Sequence, residues 1–115
     1  MRQAVQFTSK GLAVTTSTVD LLANSATSES IYEVTSLICT NIDGTNSADF
    51  TLSLYDYTTA TSFAIASTKA VAADTYLEVI TNAPLYLQPG DKLTHLASAN
   101  GDLSVVVTYR ELANV

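Results

Sequence analysis

Cysteine and histidine are nearly absent from this chain of 115 residues, which contains one of each. The single cysteine, Cys39, cannot form a disulfide within the chain, and its place in an apolar run predicts a small buried hydrophobic side chain. One cysteine and one histidine do not make up the ligand set of a structural zinc site either. We therefore expect a fold that needs no disulfide, no metal and no cofactor.

Positive charge is also scarce, because five lysines and arginines face eleven aspartates and glutamates, for a net charge of −6 and an isoelectric point near 4.3. This balance leaves no basic stripe to neutralise phosphates, which argues against a nucleic-acid partner. It would also repel an anionic membrane surface.

Charged residues of both signs make up 14% of the chain, against 47% hydrophobic residues and many serines and threonines. Average proteins carry about 25% charged residues. The profile is typical of secreted, adhesive or virion β-proteins, and we expect no enzymatic activity.

Long apolar runs are missing as well. The first seven residues carry one positive charge but lack the continuous apolar core of a signal peptide, and no segment approaches the length of a transmembrane helix. We expect synthesis in the cytoplasm and no membrane partner.

What the chain does contain is a regular succession of short β-type segments, clearest in its last third. Pro89-Gly90 predicts a type II turn, with positive φ at the glycine. Asn100-Gly101 predicts a two-residue type I′ hairpin loop with positive φ at both residues. After it, residues 103–110 alternate between apolar and polar side chains, as in a half-buried antiparallel strand.

Earlier segments read in the same way. Residues 31–41 predict a long central strand with a bulge, because no two-residue register places all its apolar side chains on one face. On the segment at 76–81, Leu77 and Val79 are predicted inward and Ile80 outward. The residues expected to share one core are Phe50, Leu52, Leu54, Leu77, Val79, Leu103, Val105 and Val107.

About eight strands at this spacing, without a convincing helix, predict an all-β fold: an antiparallel two-sheet β-sandwich, jelly-roll-like, in a single domain. Ser9-Lys10-Gly11 is interpreted as a break that separates residues 1–10, an N-terminal arm or edge strand, from the sandwich of residues 11–115. Val5 and Phe7 would then anchor the arm on the surface of a neighbouring molecule.

Three further residues are candidates for an interaction site. His95 is expected on an inward face, with its ring satisfied by a hydroxyl or a backbone carbonyl, or else at a subunit contact. Tyr55 and Tyr57 are interpreted as outward rings on one strand face, suited either to a sugar or protein contact or to edge packing. The oxygen-rich loop at residues 43–49 leaves a calcium site open, although it lacks the EF-hand spacing.

Taken in order, these motifs resemble a recurrent small virion structural protein of tailed bacteriophages. The resemblance rests on an Ile-Tyr-x-Val opening that runs into a Thr-Ser-Leu-Ile-x-x-Asn strand, a Thr-Leu-Ser-Leu strand, a segment ending in Pro-Gly-Asp and a final Val-x-Val-x-Tyr strand. These segments are Ile31 to Asn41, Thr51 to Leu54, Leu85 to Asp91 and Val105 to Tyr109. His95 departs from the pattern, in which an apolar residue is expected.

The resemblance implies a capsid decoration (cement) protein, which stabilises the head by binding across capsid-subunit joints on the outer capsid surface. Its implied partners are the major capsid protein and copies of itself, as a homotrimer. The alternative is a tail or head fibre component, or a carbohydrate- or receptor-binding module that uses Tyr55 and Tyr57.

Overall fold

The computed structural model describes residues 7–113, and within that range the chain forms nine β-strands and no helix. Within these residues no helix is long and apolar enough to cross a bilayer. The strands are β1 (Phe7–Ala13), β2 (Val19–Ala23), β3 (Ser30–Asn41), β4 (Ala48–Asp56), β5 (Thr61–Val71), β6 (Tyr76–Ile80), β7 (Leu85–Leu87), β8 (Lys92–Ala97) and β9 (Leu103–Ala113).

The strands form two antiparallel sheets. The five-stranded sheet has the order β1-β9-β3-β6, with the short β7 also paired to β3, and the four-stranded sheet has the order β2-β8-β4-β5. Apart from β7, this interleaving of eight strands is the order of a jelly roll. The prediction of an all-β, jelly-roll-like sandwich is confirmed.

The core lies between the two sheets and is built by period-two alternation. On β4, Phe50 and Leu52 are fully buried while Thr51 and Ser53 are partly exposed on the other face. On β9, Leu103, Val105 and Val107 are buried in the same way. The remaining members of the predicted core are partly buried and pack against its rim: Leu54, Leu77 and Val79.

A bulge on β3 explains why that strand fits no single register. Its pairing with β9 shifts between Val34 and Ser36, so that both Val34 and Leu37 point into the core. A second shift, opposite β6, pairs Leu37 with Ile80. Ile80 is consequently buried, and the prediction that it faces outward is wrong.

The Asn100-Gly101 segment is not a hairpin loop. β8 and β9 lie in different sheets, so residues 98–102 cross from one sheet to the other. Gly101 has a φ of 84°, whereas Asn100 is not among the residues with positive φ. The Asn100 side chain instead accepts a hydrogen bond from the Thr16 N–H at 2.8 Å. The hairpin expected from Asn-Gly does not form, because β9 pairs with β1 and β3 in one sheet while β8 lies in the other.

The predicted break at Ser9-Lys10-Gly11 is also wrong. β1 runs through these residues, pairing continuously with β9 from Phe7 to Ala13, and forms an edge strand. Lys10 closes this edge of the sandwich, because its Nζ donates to the Leu21 carbonyl of the other sheet at 2.8 Å. The rest of the predicted arm, including Val5, lies outside the described residues.

The core register makes a direct prediction for β4. Leu52→Ala is expected to lower the free energy of unfolding by about 2–5 kcal/mol, because it leaves a cavity between the sheets. The control Ser53→Ala, on the outer face of the same strand, is expected to change it by less than about 0.5 kcal/mol. Chemical denaturation followed by circular dichroism measures both, and equal effects would contradict the register.

Candidate functional site

His95 lies on β8 with its side chain in the core, 1% exposed, and its ring meets Phe50 edge-on with 6.5 Å between centroids. The inward orientation expected from the sequence is confirmed. The expected hydrogen-bond partner is wrong, because neither ring nitrogen has one among the described residues. A side chain buried in this way offers no surface for direct contact with another subunit.

Burial of His95 lowers the pKa of its imidazole below the ordinary value of 6.5, and the positive charge of Lys10 lowers it further. An unpaired imidazolium in the core would be costly. The ring is therefore held neutral and serves as a packing group.

Cys39 is fully buried on β3, as its apolar neighbours predict. Desolvation raises the pKa of its thiol to about 12, so the nucleophilic thiolate is scarce at neutral pH. Cys39 is thus shielded from both chemistry and disulfide exchange while the domain is folded.

Asp43 lies in the loop at residues 43–49, where the sequence leaves a calcium site open. The Asp43 carboxylate accepts from the backbone N–H groups of Thr45 and Asn46, and these bonds lower its pKa. Within residues 7–113 no three His, Cys, Asp or Glu side chains are grouped closely enough to hold a metal ion. The carboxylate of Asp43 organises its own turn.

Tyr55 and Tyr57 occupy different surroundings. Tyr55 is half-buried on β4, with the Lys92 ammonium 5.3 Å from its ring centroid. β4 ends at Asp56, so Tyr57 lies beyond the strand, where it is 55% exposed and packs over the Gly90 backbone. Its N–H donates to the Asp91 carboxylate at 3.0 Å. Tyr57 therefore helps to hold the turn before β8, and its free ring face remains available to a partner.

Four side chains form a row across the outer face of the five-stranded sheet, and no pattern along the sequence predicts it. Register places Phe7, Arg110, Glu33 and Tyr86 side by side on β1, β9, β3 and β7. The Arg110 guanidinium lies 5.2 Å from the Phe7 ring centroid and donates to the Glu33 carboxylate. On the other side the Tyr86 hydroxyl donates to the second Glu33 oxygen at 3.1 Å. We call these four residues the cross-strand row.

Glu33 is the electrostatic centre of the cross-strand row. It is a nearly buried carboxylate, and the hydrogen bond from Arg110 is the main cause that lowers its pKa. The same carboxylate raises the pKa of the Tyr86 hydroxyl by accepting its hydrogen bond. Both oxygens of Glu33 are thus paired, while Phe7 and Tyr86 at the two ends of the row are 55% and 47% exposed.

Next to the row, the outer face of the sheet carries uncharged side chains on β1 and β9. Ser9 and Thr108 share a hydrogen bond of 2.9 Å between their hydroxyls. Gly11 lies beside Val106, which is 47% exposed, and Ile38 follows on the next strand. A sheet face with few charges and two exposed aromatic rings, each held by a contact to a neighbouring strand, is suited to a protein interface.

Neither a protein-family model nor a curated protein matches this chain. Its fold is similar to that of a solved chain of the Bacillus endospore appendages, described as a novel family of disulfide-linked pili. The TM-score is 0.57 with 17% identity, over 97% of this chain and 88% of that chain. Similarity at this level supports the β-sandwich alone, and the phage origin implied by the sequence motifs stays a prediction.

Gly90 and Gly101 both have positive φ, but only Gly90 has neighbouring atoms that a Cβ would meet, so substitutions at the two positions distinguish backbone strain from steric conflict. Gly90 has a φ of 93°, and a Cβ there would lie 2.3 Å from Cγ of Tyr57. Gly101 has a φ of 84°, but a Cβ there would meet no atom within 4 Å. We expect Gly101→Ala to cost about 1–2 kcal/mol of stability from the backbone alone, and Gly90→Ala to cost clearly more. Thermal unfolding of both variants tests this order.

Burial of His95 predicts a pH dependence of stability. The unfolded chain binds a proton near pH 6.5, whereas the folded chain resists it, so the free energy of unfolding should fall as the pH drops from 6.5 through the folded-state pKa. In His95→Leu and His95→Gln this part of the pH dependence should disappear. Denaturation of all three proteins above and below pH 6.5 gives the comparison, and parallel curves would contradict it.

Proposed function

We propose that this protein is a non-enzymatic structural protein of the virion: a capsid decoration protein that binds across capsid-subunit joints. The observation that carries the proposal is the cross-strand row, because it presents two exposed aromatic rings, Phe7 and Tyr86, on a sheet face whose neighbouring positions on β1 and β9 are uncharged. Aromatic anchors of this kind supply much of the binding energy at protein interfaces.

Rigidity makes this face favourable for binding. Phe7 is held by the Arg110 guanidinium and Tyr86 by its hydrogen bond to Glu33, so both rings are ordered before a partner arrives. Ordering a side chain on association costs about 0.5–1.5 kcal/mol, a cost that prior ordering reduces.

The positions of the reactive groups support a role without catalysis. Cys39 and His95, the one thiol and the one imidazole of the chain, are both buried in the core. The net charge of −6 disfavours the packaged genome as a partner. The partners we propose are the major capsid protein and copies of this chain, on the outer surface of a head whose proteins are made in the host cytoplasm.

A second candidate is a subunit of a fibre or appendage, which the fold similarity to the endospore appendage protein favours. Copies of this chain could not be disulfide-linked in the folded state, because Cys39, its one cysteine, is fully buried. A sugar- or receptor-binding role through Tyr55 and Tyr57 remains the third candidate, with Tyr57 as the more exposed ring.

The cross-strand row yields a test of the decoration function. We expect Phe7→Ala combined with Tyr86→Ala to weaken binding to particles that lack the protein by about tenfold or more, because both anchors are lost. The control is Ile42→Ala, which removes a side chain of similar exposure from the loop after β3. Co-sedimentation with particles measures binding, and a melting curve for each variant checks that the fold is intact.

Mass spectrometry of purified particles separates the candidates. A decoration protein should occur at a copy number comparable to that of the major capsid protein, and a fibre subunit at a small fraction of it. Absence of the chain from particles, or full occupancy by the doubly substituted protein, would rule out the decoration role through this face.

A further inference from the structure

One lateral edge of the sandwich is left open. β5 has eleven residues, almost all of them exposed, whereas β6 in the facing sheet has only five. Phe63 and Ile65 on β5 are 53% and 39% exposed although the strand carries a single charge, Lys69. Long apolar edge strands are rare on isolated domains, because they invite association.

An apolar groove runs along this edge between the two sheets. Its walls include Ile65 on β5, Val79 on β6, and Pro84 and Leu85 in the following segment. The groove is open to solvent and has a volume of about 400 Å³. Its size leaves room for an aromatic side chain, since about 150 Å³ holds a benzene molecule in a closed cavity. Phe63 lies two residues from Ile65 and does not line the groove itself. Its exposed ring therefore lies beside a groove that has room for the same ring of a second copy.

The backbone of β5 is poorly suited to pairing with another strand. Its register against β4 shifts twice, on either side of Leu52, and Thr68 within it has a φ of 45°. The Thr68 N–H is turned toward the Thr51 hydroxyl, which accepts it at 3.0 Å. Bulges of this kind block strand addition at an edge. Association at this edge therefore depends on side chains.

The charged side chains at this edge favour a second copy of the chain as the occupant of the groove. With a net charge of −6, two copies repel each other on average, so a contact between copies is favoured where opposite charges lie together. At the open edge one positive and one negative side chain, Lys69 and Glu78, line an adjoining groove together with Leu77 and Val79. The ion pairs found in residues 7–113 are Lys92–Asp20 and Arg110–Glu33, so Lys69 and Glu78 are not bridged to each other.

We propose that the β5–β6 edge is a twofold self-association surface, in which Phe63 of each copy enters the groove of the other and Lys69 faces Glu78 of the partner subunit. A twofold axis requires a self-complementary patch, in which residue i meets residue j and j meets i. Phe63 beside the groove, and Lys69 beside Glu78, can each meet their complement on a second copy, as that requirement demands. This proposal deepens the assembly role proposed above, and it gives a dimer in place of the trimer that the phage resemblance implies.

Charge reversal tests the twofold arrangement on the full chain. Lys69→Glu alone and Glu78→Lys alone should each weaken the dimer by about tenfold or more, since each places like charges opposite each other twice. Mixing the two variants in equal amounts should restore dimers, because a heterodimer then contains two opposite-charge contacts. Sedimentation velocity over a range of concentrations measures the mass. A charge pair formed within one copy would not produce this rescue on mixing.

Apolar variants complete the design. Ile65→Asp should make the protein monomeric, whereas Val106→Asp, a matched change on the outer face of the other sheet, should leave the dimer intact. A monomeric or trimeric wild-type protein, or a dimer lost with Val106→Asp and kept with Ile65→Asp, would overturn the proposal. Because these assays use no particles, their failure is distinguishable from failure of the decoration role, which the Phe7 and Tyr86 variants address.

Discussion

The burial of one face of each central strand between two sheets is the constraint on which the rest of this structure depends. β4 and β9 each place every second side chain inward, and the residues between them are left to form the outer faces. Each buried Leu or Val contributes roughly 1.5–3 kcal/mol. His95 is tolerated in this layer only as a neutral ring, since neither of its nitrogens has a hydrogen-bond partner within residues 7–113.

The two lateral edges of the sandwich differ in how this core is closed. At the β1–β2 edge, Lys10 reaches across the layers to the carbonyl of Leu21, which is left free at a bulge in β2. At the opposite edge, β5 extends beyond the short β6 and leaves an apolar groove. One edge is thus sealed by a side chain of the same molecule, and the other is completed by the second copy that we propose.

Hydrogen bonds of Asp91 connect the ends of several strands. Asp91 accepts hydrogen bonds from the N–H groups of Tyr57 and Gln88, while its own carbonyl accepts from Asn24. Asp91 therefore joins the turn after β7 to the end of β4 through its carboxylate, and to the segment after β2 through its backbone carbonyl. This polar junction thus connects strand ends of both sheets, as the cross-strand row connects β1, β9, β3 and β7 within one sheet.

Much of the fold was accessible from the sequence, because alternation and turn chemistry are local. The inward sets of β4 and β9 follow from period two, and Pro89-Gly90 formed the expected turn, with a φ of 93° at Gly90 and a 2.9 Å bond from the Asp91 N–H to the Gln88 carbonyl. Cys39 was placed in the core by its neighbours. These statements need no knowledge of which strands pair.

Only the tertiary structure decided what depends on pairing between distant strands. The sheet in which β9 lies determined that Asn100-Gly101 crosses between layers, and the register of β6 against β3 buried Ile80. The cross-strand row joins Phe7 to Arg110, more than a hundred residues along the chain, and the open groove exists because β5 is longer than β6. The sequence determined which side of each strand is apolar; partner and register, set by the packing of the whole core, decided which surfaces are left to act.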